Sequence, residues 1–170
     1  IYENQAGTID EELARLFEEY YHQAFGGTLT AQPSVHRVIP IGETVKMDTE
    51  IRPYESAADI VSGAKAWGVT ECICRKQKAL IGDPCDHPLE VCMVMAQEAG
   101  VFDSSKTIRA LDQDEAMGVL KIASDAGLVH SVSNNQQGLW YICNCCTCSC
   151  GILRGMKDLG VANVVAASAF

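Results

Sequence analysis

Residues 143–150 read Cys-Asn-Cys-Cys-Thr-Cys-Ser-Cys, five thiols in eight positions. This run constrains the chain more than any other feature. A packed core accepts cysteines one at a time, as small hydrophobes. Alternating cysteines instead concentrate soft ligands in a volume suited to a metal ion or an iron–sulfur cluster. The other four cysteines, Cys72, Cys74, Cys85 and Cys92, form a second group, so all nine thiols of the 170-residue chain fall into two clusters. A disulfide framework is disfavoured by the odd count, by the absence of a secretory signal and by the crowding within the run, where few pairs meet the separation and torsion a bridge needs. Thiols held by metal in a reducing cytoplasm are the expectation.

Hydrophobic residues make up 48% of the chain, enough for one independently folded cysteine-rich domain over 1–170. No apolar run approaches the roughly 20 residues a membrane span requires. The net charge of −9 argues against nucleic-acid binding, which needs a basic footprint. The one basic cluster, Arg75-Lys76-Gln77-Lys78, reads as a solvated loop, with a docking patch or donors to an anionic cluster as the functional alternative.

Hydrophobic periodicity and punctuation predict an α+β fold: about five helices with short strands and hairpins, and metal or cluster sites at strand ends and helix N-termini. Residues 8–25 read as an amphipathic helix with a Thr8/Glu11 capping box, a stripe of Ile9, Leu13, Leu16, Phe17, Tyr20 and Ala24, and a stop at Gly26-Gly27. A hairpin is expected over 35–51, carrying a half-exposed His36, and a helix from Pro53 to Trp67. Residues 69–74 read as a strand that turns Cys72 and Cys74 to one side, and 75–84 as a loop. Pro88 suggests the start of a helix to about Ala99, with Cys85 just ahead of it and Cys92 in its second turn. A helix over 112–126, with Asp112 and Glu115 as capping box, precedes a hairpin of 128–133 and 139–142 that runs into the Cys143 cluster; a last helix covers 151–159.

The first group has the spacing C-x-C-x10-C-x6-C, and its four thiolates satisfy a zinc site or a 4Fe–4S cubane equally well. The second offers five thiolates, one more than a four-ligand centre needs. One thiol is then unbound, or crosses over to complete the other group's site, or the run binds several soft ions as metallothionein-like sequences do. The doublet Cys145-Cys146 sends its side chains in different directions if extended, so one of that pair is the natural spare. His87 reads as a residue flanking a helix, with metal ligation as the alternative; His130 reads as structural and His22 as a surface residue. Arg75 and Arg154 read equally as surface residues or as donors to cluster sulfur. Ordinary catalytic signatures, a nucleophile elbow, a zinc-protease helix, a phosphate loop and a dinucleotide fingerprint, are absent.

Taken together, Cys72-Ile-Cys74-Arg75-Lys76-Gln77-Lys78, Cys85-Asp86-His87-Pro88-Leu89-Glu90-Val91-Cys92 and Ile142-Cys143-Asn144-Cys145-Cys146 through Cys148, Cys150-Gly151, Leu153-Arg154-Gly155 resemble a family of prokaryotic 4Fe–4S ferredoxin-type iron–sulfur proteins. Arg37-Val38-Ile39-Pro40 and Gly127-Leu128-Val129-His130 extend the likeness over nearly the whole chain. The resemblance implies a three-part protein: a winged-helix-like region, this cysteine-rich part, and a two-cluster ferredoxin module beginning after Phe170. The clustering of the thiols at helix starts and strand ends favours a cytoplasmic electron-transfer domain of anaerobic metabolism, with that module or a redox partner protein as its partner. Cys72, Cys74, Cys85, Cys92, Cys143, Cys145, Cys146, Cys148 and Cys150 are the candidate ligands of one or two 4Fe–4S clusters. A zinc-binding interaction module and a thiol or cluster redox enzyme domain are the alternatives.

Overall fold

The computed structural model describes residues 6–41, 56–135 and 137–166. They form an α+β fold around a six-stranded antiparallel sheet of order β1-β5-β6-β3-β2-β4. Its strands are β1 (His36–Val38), β2 (Ala66–Glu71), β3 (Glu90–Ala96), β4 (Arg109–Leu111), β5 (Val129–Ser133) and β6 (Tyr141–Cys145). The hairpin of β5 and β6 pairs Val129 with Cys145 and Ser131 with Cys143, as the alternation of apolar residues predicts. Its second strand is longer than expected and takes Cys143 and Cys145 into the sheet itself.

The segment after Pro88 is a strand, not the expected helix. Val91, Met93 and Met95 are buried while the residues between them are less so. That is a period of two, and with three apolar side chains available for a sheet face it outweighs the helix-start preference of Pro88. Cys92 therefore points away from the Val91–Met95 face. The register Met93–Ile142 and Val94–Tyr141, carried one residue further, sets Cys92 opposite Cys143.

The Val91–Met95 face packs against α5 (Gln113–Asp125) and α3 (Ala57–Ser62), through Val119, Leu120, Ala123, Ala57 and Val61. Helix α5 has the expected Asp112/Glu115 capping box. It ends where Gly127 takes a φ of 69°, so that Leu128 N–H reaches the Ala123 carbonyl and Gly127 N–H the Ser124 carbonyl. Helix α3 is shorter than expected because Trp67 belongs to β2, where its indole N–H still donates to the Val61 carbonyl at 2.8 Å. The start of the helix expected from Pro53 and most of the hairpin expected over 35–51 lie outside the described residues; of that segment β1 is described, and it pairs with β5.

Helix α1 (Glu11–Tyr20) is capped by Asp10, whose carboxylate accepts from Leu13 N–H at 2.9 Å, rather than by Thr8. It continues through a π-helical turn at Tyr21–Phe25 into α2 (Gly26–Thr30), so Gly26-Gly27 do not stop it. Only part of its apolar stripe is buried: Ile9 is buried and Phe17 half-buried, but Leu13, Leu16 and Tyr20 are exposed, and Ala14 and Tyr21 are buried instead. The neighbour of α1 explains the difference. Residues 73–80, expected to be mostly loop, form helix α4 (Ile73–Leu80), and its buried Arg75, Gln77 and Lys78 are polar. Gln77 donates to the Ala14 carbonyl at 2.9 Å, so α1 must present a small residue and acceptors there rather than bulk. Helix α4 ends at Gly82, with φ of 85°, which turns the chain back towards Cys85. Among the described residues no helix is long and apolar enough to cross a membrane.

Candidate metal centres

All nine cysteines are free thiols, and the fold sorts them differently from their order in the chain. Cys72, Cys74, Cys92, Cys143, Cys145 and Cys150 line one cavity of about 320 Å³, whose wall also carries Phe17, Phe25, Trp140 and Tyr141. Cys85, His87, Cys146 and Cys148 form a separate group whose ligand atoms all lie within 4.8 Å of one another. Of these four residues only Cys146 also touches the cavity wall.

Each element delivers its thiols for a local reason. A bulge between Thr70 and Glu71 ends the regular pairing of β2. The chain then caps α4 at Cys72, whose N–H donates to the Leu89 carbonyl at 2.8 Å, and Cys74 lies in the first turn of that helix. The two thiols thus converge across a strand–helix junction, not along one strand face as the sequence suggests. On β6 the alternation does hold: Cys143 and Cys145 share a face, while Ile142 and Asn144 turn to the other. Leaving β6, the doublet diverges, with Cys145 in the cavity and Cys146 in the outer group. The turn that follows brings Cys150 back to the cavity, where the N–H groups of Ile152 and Leu153 point at its sulfur.

Within the cavity, thiolate and thiol character alternate. Cys72 is held well below the ordinary thiol range by donation from Cys74 and Cys92 and by the nearby Arg75 guanidinium. Cys150 is held low by donation from Cys145 and Cys74 and by the two backbone N–H groups. Cys74 is pushed up by donating to Cys150 and Cys72, Cys145 by donating to Cys143 and Cys150, and both by burial beside those sulfurs. Negative charge on sulfur is therefore favoured at Cys72 and at Cys150. In the outer group, burial would raise Cys85, but donation from the Ser149 hydroxyl, the backbone of His87 and its ring, and Cys148 bring it to about 6. Cys148 is pushed up to about 12 by burial and by donating to Cys146 and Cys85.

The two arginines are 3% exposed, so neither is a surface residue. Arg75 donates to the carbonyls of Pro88 and Asn144, both at 2.7 Å. Burial disfavours its charge, but Cys72, Cys146 and Cys92 around it hold the guanidinium more firmly protonated than usual. Its Nε–H has no protein acceptor and is buried. A buried, unpaired N–H on a cation beside three sulfurs fits an anionic sulfur-bearing group. Arg154 instead grips both carboxylate oxygens of Glu18 at 2.8 Å and stacks 4.1 Å over the Tyr21 ring. Its role is to fasten α1 to the segment that follows Cys150.

Sequence reasoning misses two contributors, Asn144 and His36, and gives His87 as a ligand only as the alternative. It places His87 beside a helix start, but no helix begins there and the His87 Nδ1 lies 3.6 Å from Cys148 Sγ. Asn144, 1% exposed, donates to the Val91 carbonyl at 2.7 Å and meets His130 Nδ1 at 2.5 Å, which fixes the strand between Cys143 and Cys145. His36 lines the cavity and pairs with the Tyr141 hydroxyl at 2.8 Å; burial lowers its pKa. A polar residue between two cysteines on an otherwise apolar strand is the one available signal for Asn144. His130 is buried and structural, as expected, and His22 is on the surface near Glu18.

Compared with protein-family models, curated proteins and solved structures, the chain finds no match. The site's own chemistry therefore carries the functional argument. The protein has a Cys/His group that can hold a metal ion and a second, larger collection of thiols beside it.

Proposed function

We propose that this chain is an iron–sulfur electron-transfer domain, with a 4Fe–4S cluster held in the cavity by four of the thiols Cys72, Cys74, Cys92, Cys143, Cys145 and Cys150. The observation that carries the reading is the convergence of six thiols, from a helix start, two strands and a turn, on one cavity with aromatic walls. A single zinc ion needs four ligands and no such cavity. A bound 4Fe–4S cluster supplies reversible one-electron transfer, at a potential set by burial, N–H···S bonds and nearby charge.

The chain's own residues match those three levers. Phe17, Phe25, Trp140 and Tyr141 give the cavity apolar walls. The N–H groups of Ile152 and Leu153 donate to Cys150. The Arg75 guanidinium places a fixed positive charge beside Cys72 and Cys92, which favours the reduced, more negative state. The resemblance to ferredoxin-type proteins supports the same role: a cytoplasmic component of anaerobic metabolism that passes electrons to an adjoining ferredoxin module or a redox partner. The absence of a recognisable catalytic signature in the sequence favours an electron carrier over a stand-alone enzyme.

Anaerobically purified protein is expected to be brown, to bleach on reduction with dithionite while gaining an EPR signal of a reduced cluster, and to recover its colour on reoxidation. A protein whose absorption does not respond to reductant contradicts electron transfer.

A further inference from the structure

The outer group differs from the cavity in number and ligand type. We propose that Cys85, His87, Cys146 and Cys148 bind a single zinc ion, separate from the cluster, whose role is structural. This inference does not depend on the cluster reading.

The spacing favours one ion. Tetrahedral zinc, with Zn–S of about 2.3 Å and Zn–N of about 2.0 Å, sets its ligand atoms roughly 3.5–3.8 Å apart. Cys85 Sγ and Cys146 Sγ are 4.0 Å apart, and Cys148 Sγ and His87 Nδ1 are 3.6 Å apart. The thiolates of a cubane are wider spaced, because each binds an iron at a different corner. The ligand set favours zinc as well: three thiolates and one imidazole fill four positions and leave none open, a composition found in closed structural zinc sites. The sequence Cys85-Asp-His87 supplies two ligands from the loop that follows α4, and Cys146-Thr-Cys148 supplies two from the turn after β6. The Ser149 hydroxyl donates to Cys85 Sγ at 3.4 Å, an outer partner for a ligating sulfur.

The position explains the purpose. Cys85, His87 and Cys148 do not line the cavity, and Cys146 stands in the wall between the two groups with Arg75 beside it. An ion here ties the loop carrying Cys85 to the turn that returns Cys150 to the cavity. Those segments are far apart in sequence, and a metal crosslink fixes one to the other.

The test uses the full chain, purified anaerobically, with zinc, iron and sulfide measured per chain. About one zinc per chain is expected. In His87→Ala, zinc retained after dialysis against a chelator should fall more than about tenfold. His87→Cys should keep it, because four thiolates are an equally good zinc set, and this controls for misfolding. Cys74→Ser, in the cavity, should leave zinc unchanged. Cobalt added to the zinc-depleted protein should show the ligand-field bands of a tetrahedral thiolate site, altered in His87→Cys. Wild-type protein without zinc, zinc retained in His87→Ala, zinc lost equally from His87→Ala and His87→Cys, or iron in place of zinc lost from His87→Ala would each overturn the proposal. Zinc present and dependent on His87 in a protein without iron would uphold it while removing the cluster reading.

Discussion

Cys74→Ser is expected to strip the chain of iron and sulfide by more than about tenfold while leaving it folded. Cys74 occupies the joint of the cavity group, against Cys72 on one side and Cys150 on the other. A serine hydroxyl has nearly the same shape but does not ionise to a soft thiolate, so it cannot replace the sulfur on iron. The main core lies on the far side of the sheet, among Val69, Met93, Leu120 and Ile142, and does not include Cys74. The variant should therefore keep its far-ultraviolet circular dichroism. Iron and acid-labile sulfide measured side by side in variant and wild type decide the matter; a variant that keeps its full complement removes Cys74 from the ligand set. Cys143→Ser, compared in the same way, would show which cavity thiols beyond the required four are bystanders.

The second large effect concerns the clamp on α1. Arg154→Leu should destabilise the protein by about 2–3 kcal/mol, a figure kept below that of a fully buried pair because Glu18 is partly exposed. The loss leaves Glu18 with Lys78, at 3.3 Å, Gln77 and His22, at 3.4 Å, and removes the cation from the Tyr21 ring. The apparent melting temperature should drop by roughly 5–10 °C for a domain of this size. Arg154→Leu and Glu18→Gln together should cost less than the sum of the two, since each breaks the same pair. The pair also predicts a pH dependence. Burial pushes the Glu18 carboxyl up, but Arg154, Gln77 and Lys78 outweigh it and hold it at about 2 rather than 4.5. A carboxyl lowered in the fold stabilises the protein above its unfolded value, and that stability is lost as pH falls from about 4.5 towards 2. Glu18→Gln should flatten this part of the stability curve relative to wild type. Equal acid sensitivity in the two proteins, or an unchanged melting temperature in Arg154→Leu, contradicts the clamp.

The legible parts of the sequence are those where local signals agree with tertiary packing. Helix α5 carries its own capping box and glycine stop, and the β5–β6 hairpin its own alternation, so both appear as expected. The segment 88–99 shows the opposite case. Pro88 is a local signal for a helix, whereas the Val91, Met93, Met95 alternation is satisfied only when β2 and β6 flank it on either side. The Arg-Lys-Gln-Lys stretch reads as solvated because its charges have no visible partners in sequence. Two of their partners, Glu18 and the Asn144 carbonyl, come from distant segments, while Glu71, Cys72 and Asp83 are near in sequence but are brought into reach only by the helix. The same holds for the cysteines. Sequence proximity groups Cys85 with Cys72 and Cys92, but the turn at Gly82 carries it to Cys146 and Cys148 instead. The surplus thiol signals that the groups can exchange a member. Which residues exchange is not legible, because it depends on where β6 ends; His87 is legible only as one alternative, from its spacing to Cys85.

The central claim, that the six-thiol cavity holds a 4Fe–4S cluster, is tested most directly by iron and acid-labile sulfide per chain in anaerobically purified wild-type protein. The account predicts about four of each per chain. Zinc without sulfide, in a colourless protein, would contradict it.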